Sequence, residues 1–184
     1  MIEVEVKARV EDPKRIERSI IELGAVPIGI ENQADTYYNA PFRDFWVTDE
    51  ALRIRSQGSK YFLTYKGPKM DSVSKTRKEF EVEVNDAGNM GNILSSLGFS
   101  PVTTIVKKRK IYRLGNYFIA LDNVRNLGDF IEVEASINDS RNYEEEVETI
   151  FKLIEKLGIS RVSTVRESYL EMLLKKNKKG IVGL

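Results

Sequence analysis

The sequence contains neither cysteine nor histidine. Without cysteine, the chain has no disulfide framework, no thiolate nucleophile and no zinc site built on sulfur. Without histidine, catalytic triads of the Ser-His type and imidazole metal sites are excluded as well. Any bound metal ion must therefore have oxygen ligands, which favours Mg²⁺, Mn²⁺ or Ca²⁺.

Long apolar runs and a secretory leader are also missing, so we expect a cytoplasmic protein with no membrane partner. Neither sign of charge dominates, because 29 basic residues stand against 28 acidic ones. No global field attracts nucleic acid, and no nucleic-acid partner is expected. With 184 residues, of which 41% are apolar, the chain has the size and composition of a single domain over residues 1–184.

The first ten residues predict a strand with two different faces, because apolar and charged residues alternate with period two. One face carries Ile2, Val4, Val6 and Ala8, and the other carries Glu3, Glu5, Lys7 and Arg9. Carboxylates two residues apart on a strand lie ~7 Å from each other. Taken alone, the pattern is typical of an amphipathic strand with a solvated face. If other strands repeat it, the charged face offers both a cation site and an anion contact.

Seven further strands and four helices are predicted along the chain. The strands are expected at 35–38, 51–56, 60–66, 76–85, 104–113, 117–122 and 129–137, and the helices at 13–23, 87–97, 143–157 and 164–174. The rest of residues 25–50 is expected to be irregular, with aromatic anchors in 42–46 packed under a loop. Residues 67–75 are expected to form a mobile loop, and 175–184 a flexible basic tail.

A Leu-Gly pair ends three of the predicted helices, at 23–24, 97–98 and 157–158. The first two helices each follow a strand and lead into further strands, which indicates two related halves. Eight mostly antiparallel strands with few helices predict an α+β fold. We expect a closed or nearly closed eight-stranded antiparallel β-barrel, with helices packed outside and a C-terminal helix.

Charged strand faces recur after the first one, and like charges are neighbours within them. They carry Arg53 and Arg55; Lys66; Arg77, Glu79, Glu81 and Glu83; Lys107 and Arg109; Asp122; and Glu132 and Glu134. In the usual soluble arrangement these faces point to solvent. However, solvated strand faces usually include Thr and Ser, and an exposed face gains nothing from grouping like charges. If helices cover the apolar faces instead, the charges line the barrel, which is costly without a ligand or water. The pattern alone leaves both arrangements open.

Eight short segments, taken in order, resemble the signature of the CYTH superfamily, the triphosphate tunnel metalloenzymes. This superfamily includes class IV adenylyl cyclases, thiamine triphosphatases and inorganic tripolyphosphatases. The segments are Glu3-x-Glu5-x-Lys7, Asp35-Thr-Tyr37, Ala51-Leu-Arg-Ile-Arg55, Thr64-Tyr-Lys-Gly-Pro68, Arg77-x-Glu-x-Glu81, Lys107-x-Arg109, Asp122 with Leu127-Gly-x-Phe-Ile-Glu-Val-Glu134, and Arg166-Glu-Ser-Tyr169. The last segment is similar to the cyclase-like branch, which also contains hydrolases.

The resemblance implies an eight-stranded barrel around a charged tunnel and assigns roles to individual residues. The ligands that it implies for Mg²⁺ or Mn²⁺ are Glu3, Glu5, Glu79, Glu81, Asp122, Glu132 and Glu134. The triphosphate contacts that it implies are Lys7, Arg53, Arg55, Lys66, Arg77, Lys107, Arg109 and Arg166. The central catalytic group that it implies is Glu3, Glu5, Lys7 and Lys66.

The resemblance favours metal-dependent hydrolysis of a small-molecule triphosphate: tripolyphosphate, a nucleoside triphosphate or thiamine triphosphate. A class IV adenylyl cyclase is the alternative enzyme, since it would use the same tunnel with the ribose 3′ oxygen as nucleophile. A non-catalytic polyphosphate-binding module is the alternative outside enzymes. With no histidine, the metal site or a perturbed Lys or Glu must supply any base. The organic group on the triphosphate stays open, as does assembly into a homodimer.

Overall fold

The computed structural model describes the backbone of residues 2–70, 77–137 and 143–181, and the side chains of residues 3–70, 77–137 and 143–177. The strands are β1 (Ile2–Arg9), β2 (Val26–Asn39), β3 (Ala51–Gln57), β4 (Lys60–Lys66), β5 (Arg77–Val84), β6 (Ser100–Leu114), β7 (Tyr117–Val124) and β8 (Gly128–Ile137). The helices are α1 (Pro13–Glu22), α2 (Ala87–Ser96), α3 (Tyr143–Lys156) and α4 (Tyr169–Ile181), with a short 3₁₀ turn at Arg161–Ser163.

The strands close into an antiparallel barrel in the order β1-β5-β4-β3-β2-β6-β7-β8. The prediction of an eight-stranded antiparallel barrel with a C-terminal helix is therefore confirmed. The chain order is also that of two halves, each a strand, a helix and three strands. None of the helices that the structure describes has the length and apolarity to cross a membrane.

The apolar face of β1 points outward and is covered by helices. In β1, Val4, Val6 and Ala8 are buried in a cluster that includes residues of α1 and α3. The helix residues in that cluster are Ile16, Ile20, Val147, Ile150, Phe151, Leu153 and Ile154. Successive strand residues face opposite ways, so the covered side fixes the other side as the barrel interior. Of the two arrangements left open by the sequence pattern, the charged interior is the one adopted.

Strand β2 corrects the expectation that residues 25–50 are irregular outside 35–38. It spans Val26–Asn39 and pairs with β6 almost throughout, with a register shift between Pro27 and Gly29. Pro and Gly are poor strand residues, and the outward Ile28 and Ile30 remain exposed. The first half of β2 therefore lacks a buried alternating face, and cross-strand pairing, which the sequence does not display, extends it.

Helix α4 begins later and ends later than the predicted 164–174. Ser168 caps it, because the Glu171 amide donates to the Ser168 hydroxyl at 3.1 Å and the Ser168 amide donates to the Glu171 carboxylate at 2.6 Å. Residues 175–181, which were expected to belong to a flexible basic tail, continue the helix. Residues 71–75 of the predicted loop, and residues 182–184, lie outside the described residues.

Candidate active site

A cavity of about 290 Å³ occupies the barrel interior. Its lining combines acidic and basic side chains contributed by β1, β3, β4, β5, β6 and β8. The charged residues predicted for the site that line it are Glu3, Glu5, Lys7, Arg53, Arg55, Lys66, Arg77, Glu79, Glu81, Lys107, Arg109, Glu132 and Glu134. Period two along each strand is what brings these residues inward together.

One basic part of the lining is the arginine pair of β3. Arg53 and Arg55 are two residues apart on the inward face, and Asp35 of the neighbouring β2 lies opposite Arg55. Asp35 accepts two hydrogen bonds from Arg55, at 2.7 and 2.8 Å, and one from Arg53 at 3.1 Å. The Arg53 Nε atom is buried and has no acceptor among the described residues. An orphaned buried N–H is costly unless a ligand pairs with it, so this atom points to a bound anion.

A second basic part comes from β6, where Asp122 of β7 lies opposite Arg109. Arg109 donates two hydrogen bonds to Asp122, at 2.7 and 2.6 Å, and also contacts Glu132. Lys107 lies 3.7 Å from Asp122, but burial and the neighbouring Arg109 charge lower the pKa of Lys107 to about 7. The Tyr169 hydroxyl donates to the same Asp122 at 2.9 Å, which joins α4 to this cluster.

The acidic part of the lining is concentrated where β1 and β8 pair. Their register sets Glu5 opposite Glu134 and Lys7 opposite Glu132. Lys7 Nζ lies 3.0 Å from Glu132 and 4.0 Å from Glu5, and 3.8 Å from the centroid of the Tyr169 ring. Burial, together with the charges of neighbouring carboxylates, raises the pKa of Glu134 to about 7. Negative charge is therefore crowded here beyond what the nearby bases compensate.

Strands β4 and β5 extend the acidic group. Lys66 Nζ lies 3.1 Å from Glu3 and 2.5 Å from Glu79, so it bridges β1 and β5. Burial raises the pKa of Glu3 although the Lys66 charge opposes the shift. Glu81 accepts a hydrogen bond of 2.7 Å from the buried Thr64 hydroxyl.

The acidic group fits a divalent cation by the chemistry of its donors, all of which are carboxylate oxygens. The raised pKa values of Glu3 and Glu134 show that added positive charge would be favourable there. Within the described part of the chain, no three acidic side chains already converge in the geometry of a metal site. The carboxylates that would hold an ion, Glu3, Glu5 and Glu134, would have to draw together around it.

Two predicted site residues do not line the cavity. Asp122 is almost fully buried, and it is held by Arg109, Lys107 and Tyr169 behind the cavity wall. Arg166 precedes α4 and is exposed to solvent. Their predicted roles, as a metal ligand and a triphosphate contact, remain predictions.

The loop after β2 and the first turns of α4 also line the cavity. Trp46 is half-exposed on the loop after β2 and lines the cavity there, together with the buried Phe45. Asp49 of the same loop lies 2.5 Å from Lys69 Nζ and 3.8 Å from Arg77, and Lys69 in turn lies 3.5 Å from Glu171 of α4. Packing under a loop, the expectation for the aromatic residues 42–46, describes Phe45 but not the exposed Phe42.

Asp35 and Tyr169 have site positions that the sequence reasoning did not assign. Both stand in segments that resemble the family signature, but Arg166 is the residue assigned in the segment of Tyr169, and none is assigned in that of Asp35. A signal for Asp35 is its inward phase on β2, shared with Gln33 and Tyr37. A signal for Tyr169 is the Ser168-x-x-Glu171 capping box, which fixes the helix start beside it.

The closed eight-stranded barrel thus encloses a cavity lined by paired acids and bases. Residues 1–169 match the CYTH domain, so the chain belongs to the CYTH family. The chain is 41% identical over 172 residues to a Methanocaldococcus jannaschii protein provisionally named an adenylate cyclase, covering 94% of this chain and 98% of that protein. It is 26% identical to the adenylate cyclase CyaB of Aeromonas hydrophila, covering 91% and 86%.

Solved structures show the same architecture. The PH1819 protein of Pyrococcus horikoshii is 41% identical and superposes with a TM-score of 0.88, over 95% of this chain and 99% of that one. A Hippeastrum protein named as an adenylyl cyclase candidate, and described as having a dominant triphosphatase activity, is 17% identical with a TM-score of 0.65, over 96% of both chains. At that identity the second likeness concerns the fold alone.

Proposed function

We propose that this protein is a divalent-metal-dependent enzyme that hydrolyses a small triphosphate bound in the tunnel. The substrate class comprises tripolyphosphate, nucleoside triphosphates and thiamine-type triphosphates. The observation that carries the proposal is the facing arrangement of arginine and lysine side chains and a crowded carboxylate group around one cavity. A triphosphate would bring negative charge to the arginine and lysine side chains, and its metal ion would bring positive charge to the carboxylates.

Positioning and charge neutralisation account for most of the catalysis of phosphoryl transfer. Arg53, Arg55 and Arg109 would hold phosphate oxygens through charge-assisted hydrogen bonds, with their guanidinium planes fixed by Asp35 and Asp122. Lys66 and Lys7 lie between acidic side chains and would meet the phosphate oxygens nearest the metal ligands. This set needs no organic group on the substrate.

Glu3, Glu5 and Glu134 are the residues that would hold Mg²⁺ or Mn²⁺. Such an ion neutralises phosphate oxygens and lowers the pKa of water. Lys107 is the candidate proton acceptor among the chain's own residues, because its amine lines the cavity and its pKa of about 7 leaves a large neutral fraction at neutral pH.

Adenylate cyclase activity is the second candidate, and the names of the two relatives favour it. Cyclisation requires the nucleoside to be held at the tunnel mouth with its 3′ oxygen in line with the α-phosphate. Trp46 provides a surface on which a base would stack. Hydrolysis is preferred here because it needs only a positioned water, and a dominant triphosphatase activity is described for the Hippeastrum protein of the same fold.

Phosphorus NMR of the products tests the proposal. ATP and tripolyphosphate are supplied separately with Mg²⁺ or Mn²⁺ between about pH 6 and pH 10, with the Glu5→Gln variant as the control for contaminating phosphatases. We expect tripolyphosphate to give orthophosphate and pyrophosphate, and Glu5→Gln to be nearly inactive. If ATP gives cyclic AMP and pyrophosphate while tripolyphosphate is not consumed, the protein is an adenylate cyclase and the proposed hydrolysis is wrong. If the triphosphates bind but no product forms, the protein is a non-catalytic polyphosphate-binding module.

A further inference from the structure

Asp35 lies behind the arginine pair of β3 and does not line the cavity. It is 1% exposed, and its inward phase on β2 places its carboxylate against the guanidinium groups of Arg53 and Arg55, both of which do line the cavity. One carboxylate therefore serves two arginines. A triphosphate in the cavity would touch the arginines and not Asp35.

The contacts fix the plane of Arg55 and hold one terminal nitrogen of Arg53 beside it, while the other terminal nitrogen of Arg53 lies 3.9 Å from Glu79. Asp35 Oδ1 accepts from Arg55 Nε at 2.7 Å, and Oδ2 accepts from Arg55 Nη2 at 2.8 Å and from Arg53 Nη1 at 3.1 Å. The bidentate contact locks the plane of Arg55. It leaves Nη1 of Arg55, together with the buried orphan Nε of Arg53, as nitrogens outside the Asp35 contacts.

The Asp35 carboxylate stays ionised across the physiological range. Burial opposes ionisation, but the charges of Arg53 and Arg55 and the Arg55 hydrogen bonds hold the pKa of Asp35 far below its usual value. A buried anion between two arginines also limits the repulsion that would otherwise push the guanidinium groups apart. The pair is thus in place before any ligand arrives, which reduces the ordering cost of binding.

We propose that Asp35 is a positioning residue that fixes Arg53 and Arg55 as one rigid unit for gripping a phosphoryl group of the substrate. The inference rests on the proposed function, because it assumes a triphosphate in the tunnel. It goes further in assigning a role to a residue that touches no substrate. The hydrogen bonds that Asp35 accepts come from the two arginines, and its charge also acts on Lys107. Most of the effect of removing Asp35 should therefore disappear once the arginines are replaced.

A double-mutant cycle tests that dependence. Asp35→Asn keeps the shape of the side chain but removes its charge, and we expect it to lower kcat/KM by ~10- to 100-fold in the wild-type background. In the Arg53→Lys, Arg55→Lys background, the same change should lower kcat/KM by less than ~3-fold, since lysines have no guanidinium plane to fix. A loss of similar size in both backgrounds would overturn the proposal.

Controls separate positioning from general stability. Glu148→Gln breaks a surface pair in which Arg161 donates to both Glu148 oxygens, at 3.1 and 2.7 Å, and it should leave kcat/KM unchanged. If Asp35→Asn does not fold, Asp35→Glu keeps the charge but displaces the carboxylate, and its loss should show the same dependence on the arginines. The Nε–H resonance of Arg55 should shift in Asp35→Asn, and no shift would count against the proposal.

Calorimetric binding of tripolyphosphate without metal separates failure of this inference from failure of the proposed function. The wild type could bind tripolyphosphate but turn over no triphosphate. If the double-mutant cycle, measured on Kd, is then still non-additive, the positioning role of Asp35 is supported and the proposed hydrolysis is wrong. An additive cycle in Kd or kcat/KM rejects positioning whether or not hydrolysis occurs. If the wild type neither binds nor hydrolyses tripolyphosphate, ATP or thiamine triphosphate, with or without Mg²⁺, both proposals are wrong.

Discussion

The acidic and basic parts of the tunnel are compensated to different degrees. Arg53, Arg55 and Arg109 each donate to a buried aspartate that does not line the cavity. The carboxylates of Glu3 and Glu134 share their surroundings with other carboxylates, and both have raised pKa values. The basic part is therefore organised before a ligand arrives, whereas Lys7 and Lys66 do not fully offset the negative charge of the acidic part.

This difference indicates that the two regions have separate roles, the basic one in binding an anion and the acidic one in binding a cation. The arginines, fixed by their aspartates, provide an oriented anion site at little further cost. The carboxylates stay close together at a penalty that only a proton or a cation relieves. Replacing residues on the two sides should therefore have different consequences for metal binding, for substrate binding and for stability.

The largest expected effect is on the acidic side. Glu5→Gln and Glu134→Gln should each lower turnover by at least ~100-fold, because both remove a ligand of the metal ion while preserving side-chain shape. Steady-state phosphate release at saturating Mg²⁺ or Mn²⁺ measures this. The variants should remain folded by circular dichroism. Full wild-type activity in excess chelator would refute the role of the acidic side.

A smaller effect is expected on the basic side. Alanine at Arg53, Arg55, Lys107 or Arg109 should lower kcat/KM by several-fold to ~100-fold, since each removes one contact from a shared set. Lys108→Ala is the matched control, because Lys108 lies between two of these residues on β6 but is exposed. Kinetics unchanged in all four variants would end the assignment of the basic tunnel wall.

The smallest effect is a pH-dependent change in thermal stability. The pKa of Glu134 is raised to about 7, so its contribution to the folding free energy is lost as pH rises from about 4.5 to 7. The pKa of Lys107 is lowered to about 7, so its contribution changes only above that pH, where stability rises with pH. Between pH 5 and 7 the Glu134 effect dominates this pair.

Mg²⁺ or Mn²⁺ takes the place of the proton, so the metal-induced rise in Tm should be a few degrees greater at pH 7 than at pH 5. Differential scanning calorimetry with and without metal measures the rise. The Glu134→Gln variant should lose most of the pH dependence and have a higher Tm than the metal-free wild type at pH 7. An equal rise at both pH values would contradict the crowding of the carboxylates.

The strand faces were the most predictable part of the structure. Alternation in β1, β5 and β8 identified the inward residues, and the family resemblance decided that these faces line the tunnel. Alternation alone could not decide this, because the same sequence pattern results whether the charged face points into the barrel or to solvent. The helices that cover Val4 and Val6 settle it, through contacts between distant parts of the chain.

Partners across strands were the least predictable part. That Asp35 pairs with Arg55 follows from the β2–β3 register, and that Asp122 pairs with Arg109 follows from the β6–β7 register. Neither register is encoded in local sequence. The ring of Tyr169 reaches Lys7 only because α4 packs onto the barrel. Asp122 was accordingly predicted as a metal ligand on the resemblance alone, and its burial behind Arg109 could not be anticipated.

Isothermal titration of tripolyphosphate into the protein, first without metal and then with Mg²⁺, tests the central comparison most directly. We expect one site per chain, measurable binding without metal through the arginines that Asp35 and Asp122 orient, and at least ~10-fold tighter binding with Mg²⁺. Protons should be released to the buffer on Mg²⁺ binding at about pH 6.5, as the cation displaces the proton of Glu134. No binding in either condition, or equal affinity in both with no proton release, would contradict these expectations.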